Sequence, residues 1–342
     1  MKIDDSEQQN KVKQNDILFN TSSETPEEVA TTSVIAFNND TDLYLNSFCF
    51  GFRPEITFSN YYIGYYLRSN YFRKKVFCLA QGISRYNISK KALLKLKICL
   101  PKITEQDRIG KLFKSLENLL TLYAKKSSCL DSCIAYFIRT FYDYQQFFKQ
   151  KNVQSSIVKS FKLNDILIKN NIRNKDSSIL NVESISNKEG FISQKEQFDN
   201  YQVASKDLSN YYVIHPKDFA YNPSRINVGS IAYKSPNDVK GIVSPLYVSF
   251  KCKNDIILDK YLWYWFKSAN FEHQRVRLSE GGVRDTLSFN QLSKMKISIP
   301  SFEIQKQTIK FLEILIQYKE EIDLKLDNLK LIKNTLLQNM FL

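Results

Sequence analysis

The stretch "GISRYNISKKALLKLKICLP" (Gly82 to Pro101) decides how the chain is organised, because a second version of it follows later. That second version is "GGVRDTLSFNQLSKMKISIP" (Gly281 to Pro300), 199 residues further on. At the same offset "YYIGYYLRSNYF" (Tyr61 to Phe72) matches "KYLWYWFKSANF" (Lys260 to Phe271). Separate segments that match at one fixed offset indicate an internal repeat. The sequence therefore predicts two related modules in one chain.

Each copy is followed by a long helix with an apolar seam. Apolar residues recur at alternating spacings of four and three after Ile109 and again after Leu312, which is the heptad pattern of a coiled coil. We expect the first helix to continue to about Gln150, because no proline or glycine interrupts it. Two lysines, Lys319 and Lys333, interrupt the second seam. They set register, lie at the seam edge or meet an acidic partner subunit. The residues expected to hold the seam are Phe113, Leu116, Leu120, Leu130, Leu312, Leu315, Leu326 and Leu329.

These patterns predict an α+β fold with two strand-rich domains, each followed by a long helix. We place the first domain at 1–101, the central helix at 102–150, the second domain at 151–300 and the C-terminal helix at 301–342. The two domains differ in extent. "NDILFN" (Asn15 to Asn20) aligns with "KDFAYN" (Lys217 to Asn222), so the first domain has no match for the preceding segment Phe161 to His215. We expect the first domain to be incomplete and less stable than the second.

Composition narrows the functional class. The formal charge is +14, from 49 Lys and Arg against 35 Asp and Glu, and a field of that sign suits a polyanion such as nucleic acid. A general lysine bias of the source organism is the simpler alternative. Six scattered cysteines and two histidines do not predict a metal site. Neither a long apolar run nor an apolar leader is present, so we expect a cytoplasmic chain without a membrane partner.

The conjunction of repeat, helices and local motifs resembles the specificity (S) subunit of type I restriction-modification systems. The motifs that carry the resemblance are "LPKITEQDRIGKLFKSLENLLTL" (Leu100 to Leu122), "IPSFEIQKQTIKFLEIL" (Ile299 to Leu315), "LIKNTLLQNMF" (Leu331 to Phe341), "YNPSRINVGSIAY" (Tyr221 to Tyr233) and "FNTSSETPEEVATTSVIAF" (Phe19 to Phe37). The resemblance implies two target recognition domains that read the halves of a bipartite double-stranded DNA site. It also implies that the long helices pair as an antiparallel coiled coil. Its partners would be two methyltransferase (M) subunits and, through them, restriction (R) subunits, with no cofactor and no catalysis by this chain.

The motif Tyr221 to Tyr233 suggests where one DNA contact lies. Asn222 and Pro223 open a turn, and the alternation that begins at Ile226 predicts a half-buried strand. Arg225 would then lie on a rigid loop that faces outward, although a plain surface arginine is equally ordinary there. The full set of candidate DNA-binding residues is Arg225, Ser224, Lys234, Arg284, Arg85, Arg275, Arg277, Arg73 and Lys74.

Other classes remain open at this point. A DNA methyltransferase or nuclease with its own recognition domain would need a glycine-rich cofactor loop or an Asn-Pro-Pro-aromatic motif, and "NPSR" lacks the second proline and the aromatic residue. A truncated specificity subunit that serves as a recombination partner would fit the incomplete first domain. A basic scaffold protein would need only the helices.

Overall fold

A computed structural model describes residues 10–37, 43–141, 158–187, 189–194, 207–279 and 286–341 of the 342-residue chain. The chain divides into two compact units. Unit 1 comprises Met1–Cys129 and Lys319–Leu342, and unit 2 comprises Leu130–Tyr318. The predicted continuation of the first helix to about Gln150 lies outside the described residues. None of the helices in the described part of the chain combines the length and apolar composition needed to cross a bilayer.

Unit 1 is built on a three-stranded antiparallel sheet. Its strands are β2 (Ile17–Asn20) in the centre, β4 (Thr32–Val34) on one side and β6 (Cys49–Phe52) on the other. Two short strand pairs accompany it: β1 (Lys11–Val12) with β5 (Leu43–Tyr44), and β3 (Ser22–Ser23) with β7 (Tyr86–Asn87). The helices of this unit are α1 (Asn60–Tyr66), α2 (Asn70–Phe77), α3 (Lys90–Leu94) and the first part of α4 (Ile103–Phe141).

Aromatic side chains form much of the core of unit 1. Tyr62 and Tyr66 on α1 are almost fully buried, and the rings of Phe113 and Phe341 stack with centroids 5.5 Å apart. Phe113 lies on α4, whereas Phe341 follows the end of the C-terminal helix, so the core joins both long helices to the sheet within this unit. Burial of such large rings is the main stabilising contribution.

Unit 2 contains a larger set of strands. One antiparallel sheet has the order β14-β13-β16-β9, with strands Ile231–Tyr233, Phe219–Tyr221, Val248–Cys252 and Leu167–Lys169. A second sheet has the order β11-β10-β15-β12, with strands Gly190–Ser193, Val182–Ser186, Gly241–Val243 and Tyr212–Ile214. A two-stranded sheet joins β17 (Lys296–Pro300) to β8 (Val158–Lys162). The helices are α5 (Leu163–Ile166), α6 (Asp259–Trp265), α7 (Ala269–Ser279), α8 (Phe289–Ser293) and the first part of α9 (Phe302–Asn339).

The backbone confirms the internal repeat. The order β4-β2-β6 in unit 1 equals the order β14-β13-β16 in unit 2, and the pair β1-β5 occupies the place of the pair β12-β15. Two equivalent glutamines lock the same junction. The Gln106 side chain accepts a hydrogen bond from the Ser59 amide at 3.1 Å and donates to the Pro101 carbonyl at 2.8 Å. Gln305 does the same with the Leu258 amide and the Pro300 carbonyl.

The predicted helix seams are confirmed in both units. All eight predicted seam residues are buried or half-buried along α4 and α9. In unit 1 Glu117 pairs with Lys333 and Ser127 with Asp323, so the helices run in opposite directions. In unit 2 the rings of Phe137 and Phe311 pack edge to face with centroids 5.0 Å apart.

The two seam lysines of α9 have acidic partners within unit 1. The Lys333 ammonium donates to Glu117 at 2.9 Å, and the Lys319 ammonium donates to Asp323 at 2.5 Å. Burial alone would raise the pKa of Glu117, but hydrogen bonds from Lys333 and Tyr65 outweigh it and hold that pKa below its usual value. Of these two ion pairs only the Lys333 pair joins the two helices, which favours the register interpretation for that lysine. Lys319 pairs within α9, with the Asp323 carboxylate that also accepts from Ser127 of α4.

Candidate nucleic-acid interface

The turn that follows β13 presents an exposed arginine on a hydrogen-bonded backbone. The Asn222 side chain accepts a hydrogen bond from the Ser224 amide at 3.0 Å, and the Arg225 amide donates to the Asn222 carbonyl at 3.1 Å. The Pro223 carbonyl accepts from the Leu287 amide at 3.0 Å. These bonds hold the turn from both sides, while the side chains of Ser224 and Arg225 remain exposed. The turn thus combines a hydrogen-bonded backbone with an exposed cation and an exposed hydroxyl.

The prediction of a strand directly after Arg225 is wrong. Ile226–Val228 is a 3-10 helix, and the strand β14 begins only at Ile231. The carbonyl of Arg225 accepts hydrogen bonds from the amides of Val228 and Ser230, which closes the helical turn. Gly229 then has φ of +86°, a conformation that favours glycine and reverses the chain into β14. The alternating pattern resembled a strand because a short 3-10 turn also buries one residue, Ile226, between exposed neighbours.

Lys234 is not a surface residue, which contradicts its predicted role as a DNA contact. It is 1% exposed, and its ammonium donates to both carboxylate oxygens of Glu183 at 2.7 and 2.8 Å. The Asn181 side chain donates to the same carboxylate at 3.0 Å. A Cβ at Gly241 would approach the Glu183 carboxylate to 2.6 Å, so only glycine leaves room for the pair. The lysine, which directly follows β14, forms a buried ion pair with β10 of unit 2 and is not available to DNA.

The arginines of α7 have different environments. Arg275 is buried, and its guanidinium donates to both carboxylate oxygens of Glu272 at 2.6 and 2.8 Å, which contradicts its predicted role as a phosphate contact. Arg277 is exposed and lines a surface pocket of about 380 Å³ together with Lys296 and His273. Of this pair only Arg277 is available to a phosphate.

Arg73 and Lys74 on α2 also differ from each other. The Arg73 guanidinium donates to the backbone carbonyls of Glu27, Val29 and Ala30 at 2.5 to 3.0 Å, so it fixes the loop before β4. Burial lowers the pKa of Arg73. These three hydrogen bonds bind the guanidinium to the loop, which contradicts the predicted phosphate contact for Arg73. Lys74 is exposed and remains a candidate.

Arg85 lies on a tight exposed loop between Gln81 and Asn87, whose backbones exchange two hydrogen bonds of 2.8 and 2.9 Å. Gly82 has φ of +136°, and a Cβ there would lie 2.0 Å from the Arg85 carbonyl oxygen. The loop therefore requires glycine, and it holds Arg85 at the surface. The equivalent Arg284 lies outside the described residues.

Four exposed lysines next to this loop escaped the sequence interpretation. They lie on and just after α3, and they are Lys90, Lys91, Lys95 and Lys97. Lys90 places its ammonium 5.3 Å from the centre of the Phe52 ring. Four lysines within eight residues indicate a basic surface, but the apolar residues between them are equally typical of a core segment. They extend the positive charge around Arg85.

Two equivalent carboxyl groups, one in each unit, have pKa values that are shifted in opposite directions. Asp16 accepts from the Lys13 amide at 2.7 Å and pairs with Arg53 at 2.8 Å. Burial alone would raise the pKa of Asp16, but the hydrogen bonds from Arg53 and the Lys13 amide outweigh it and lower that pKa. Asp218 accepts from the His215 amide at 2.8 Å, and there burial raises the pKa of the carboxyl above its usual value.

A duplicated strand-rich module with exposed cations on its loops, each copy followed by a heptad helix, is typical of a two-part nucleic-acid reader. A family model described as the type I restriction modification DNA specificity domain matches residues 2–132 and 156–330. The chain belongs to this family, and it is a specificity subunit with two copies of the domain. A comparison with curated proteins gave no match.

Solved structures confirm the fold class. The S subunit of a type I restriction-modification system from M. genitalium is 15% identical, with a TM-score of 0.52 over 98% of this chain and 84% of that chain. The HsdS subunit from Thermoanaerobacter tengcongensis is 14% identical, with a TM-score of 0.53 over 97% and 81%. A structure described as the basis of complex assembly and conformational transition of the type I R-M system is 11% identical, with a TM-score of 0.57 over 97% and 83%.

Proposed function

We propose that each unit reads one half of a bipartite double-stranded DNA site through its exposed arginine loop. The observation that supports this proposal is the turn after β13, in which hydrogen bonds fix the backbone while Arg225 and Ser224 stay exposed. A guanidinium on a held backbone suits bidentate recognition of a guanine edge, because little side-chain freedom is lost on binding. In unit 1 the Gly82 to Arg85 loop plays the corresponding part, with the lysines of α3 as phosphate contacts.

The decisive experiment compares Arg225→Ala with Arg225→Lys in the full chain bound to its methyltransferase. The DNA site is first determined by sequencing methylated DNA from cells that express the complex. If Arg225 contacts a base, Arg225→Ala weakens specific binding by about 1 to 3 kcal/mol and relaxes one half-site, and lysine does not restore it. Arg85→Ala should relax the other half-site.

Different results identify a different role. A phosphate contact gives a uniform loss across DNA sequences and a shallower salt dependence, and Arg225→Lys then restores binding. Unchanged binding and unchanged specificity in both alanine variants would contradict the proposal that these arginine loops read DNA. The buried Lys234 is unsuitable as a control because its loss would leave the buried Glu183 carboxylate without its counter-charge.

The same proposal assigns the long helices to partner binding. Besides the seam, α4 carries a second apolar stripe in unit 1, formed by Leu112, Leu119 and Leu122, which are 41 to 60% exposed. Their spacing of seven and three places them along one side of the helix. Exposed apolar residues in a row are typical of an interaction surface. We assign this surface to a methyltransferase subunit, with a second methyltransferase on the repeated helix segment and restriction subunits bound through them.

Co-purification tests the partner assignment. Leu119→Glu combined with Leu122→Glu should abolish recovery of the methyltransferase, because it introduces charges into the stripe and leaves the seam intact. Thr121→Glu, at an exposed position of the same helix, is the matched control and should retain the complex. Retention by the double variant would refute the assignment. The chain itself would be non-catalytic and cytoplasmic, and methyl transfer by the purified chain alone would contradict the first of these statements.

A further inference from the structure

Unit 2 shows how its β17 edge is covered. Strand β8 pairs with all five residues of β17, from Lys162 opposite Lys296 to Val158 opposite Pro300. The chain then passes through α5 into β9, and the Leu163 amide donates to the Met295 carbonyl at 2.9 Å. Leu163 and Ile166 are fully buried in the core. The segment Val158–Lys169 thus supplies both a backbone ladder and two apolar anchors.

Unit 1 has the same edge without that cover in its described residues. The segment 97–101 corresponds to β17 but belongs to no strand. Ile98 is 40% exposed, whereas its counterpart Ile297 is 1% exposed. Leu96 and Leu100 are half-buried, whereas their counterparts Met295 and Ile299 are buried. The difference concerns cover and not sequence, because Ile98 and Ile297 are the same residue type at the same position of the repeat.

The neighbouring sheet repeats the difference. In unit 2 β16 has β13 on one side and β9 on the other, with Cys252 opposite Leu167. In unit 1 β6 pairs with β2 and is the last strand of its sheet in the described residues. Within the described residues of unit 1 two adjacent edges are therefore open, whereas in unit 2 one continuous segment covers both equivalents.

We propose that these two edges of unit 1, residues 97–101 and β6, form a docking surface for an extended segment of a second polypeptide. The segment fitting this surface has the chemistry of Val158–Lys169: a strand, one helical turn with two apolar anchors three residues apart, and a second strand. Unpaired edges accept added strands because backbone hydrogen bonds and alternate side-chain pockets are both available. This inference is independent of the DNA-binding proposal, since it concerns only the cover of the sheet.

A second copy of this chain is the less suitable donor. In each copy Leu163 and Ile166 are already fully buried in unit 2, so donating the segment would open that core. A different polypeptide that carries such a segment pays no such cost. We therefore assign the surface to a heterologous chain, and the experiment distinguishes it from self-association.

Cys99 permits a direct test in the full chain, because it is exposed and lies in the middle of the segment 97–101. Its counterpart Ser298 lies opposite Ser160 in unit 2. The probe is a synthetic peptide with the sequence Val158 to Lys169 and Ser160→Cys, equilibrated with the protein in a thiol–disulfide buffer. Residues directly opposite in a strand pair bring their Cβ atoms within disulfide reach. We expect the amount of mixed disulfide at Cys99 to be at least about tenfold larger than at the exposed Cys78 or Cys129.

Two controls separate docking from general thiol reactivity. A peptide with Lys159→Cys places its thiol on the other face of the strand and should lose the preference for Cys99. A Ser160→Cys peptide with Leu163→Asp and Ile166→Asp should lose it because both apolar anchors are gone. Equal labelling of Cys78, Cys99 and Cys129 by the original peptide would overturn the proposal. Concentration-dependent dimers that protect Cys99 without any peptide would assign the surface to a second copy and would also overturn it.

Discussion

Unit 1 and unit 2 share a three-stranded core sheet, but they differ in what lies beyond it. In unit 2 β9 extends that sheet, β8 pairs with β17, and β10 and β11 extend the pair β12-β15. In the described residues of unit 1 these additional strands have no counterpart. The comparison shows that the repeated sequence encodes the central sheet and the helix junction, while separate flanking segments decide how completely the hydrophobic surface is covered.

The second difference concerns buried charge. Unit 2 contains the buried pair of Lys234 with Glu183, whereas the equivalent position in unit 1 is Ile35. Glu183 lies on β10, one of the strands that unit 1 lacks in its described residues. A buried lysine without its carboxylate would be strongly destabilising, so the charge and its partner strand occur together. The apolar Ile35 of unit 1 needs no such carboxylate partner.

The largest effect that tests this comparison comes from the matched isoleucines. Ile297→Ala should lower the free energy of unfolding of unit 2 by about 2 to 5 kcal/mol, because it leaves a cavity beneath β8. Ile98→Ala should cost less than about 1 kcal/mol, because the side chain is already partly in water. Both tryptophans, Trp263 and Trp265, lie on α6, so tryptophan fluorescence during urea unfolding reports unit 2. Amide exchange reports unit 1.

The two losses show whether the stability at this position depends on the strand that covers the edge or on the residue type alone. Equal losses from both substitutions would show that Ile98 is buried in solution and that the edge of unit 1 is already covered. A small loss at Ile297 would contradict the tight packing of β17 against β8. Either result would require a different explanation of the two-unit comparison.

A smaller effect is expected from acid. The lowered pKa of Asp16 means that its contribution to stability is present above the unfolded carboxyl pKa of about 3.9 and is lost as pH falls through the folded pKa. The raised pKa of Asp218 has the opposite sign: the charged carboxylate costs stability at neutral pH, and this cost disappears as pH falls through the folded pKa. Acidification should therefore remove the stabilising contribution of Asp16 in unit 1 and the destabilising contribution of Asp218 in unit 2.

Asparagine variants isolate the two contributions. Asp218→Asn should stabilise unit 2 relative to the unchanged protein near pH 7, and the difference should shrink in acid; tryptophan fluorescence measures it. Asp16→Asn should destabilise unit 1 near pH 7, with a difference that also shrinks in acid, as measured by amide exchange. The same sign for both substitutions would show that the two carboxylates share one environment.

Particular residues show which parts of the site were predictable from sequence. Gln106 and Gln305 are identical residues at equivalent positions of the sequence repeat. In the structure they make the same two hydrogen bonds. Arg225 was predicted to be exposed on a turn, which is confirmed, although the strand after it was wrong. A three-residue turn with one buried apolar residue has the same pattern as a short strand, so periodicity alone cannot separate them.

The sequence by itself determined the repeat, the central strands and the two helix seams, because a fixed offset and a heptad spacing are properties of neighbours along one chain. Only the tertiary structure decided which cations remain available. Lys234 meets Glu183 from 51 residues away, and Arg73 meets carbonyls more than 40 residues away. Such partners depend on where the folded chain returns, and burial then converts a basic residue from a possible DNA contact into part of the core.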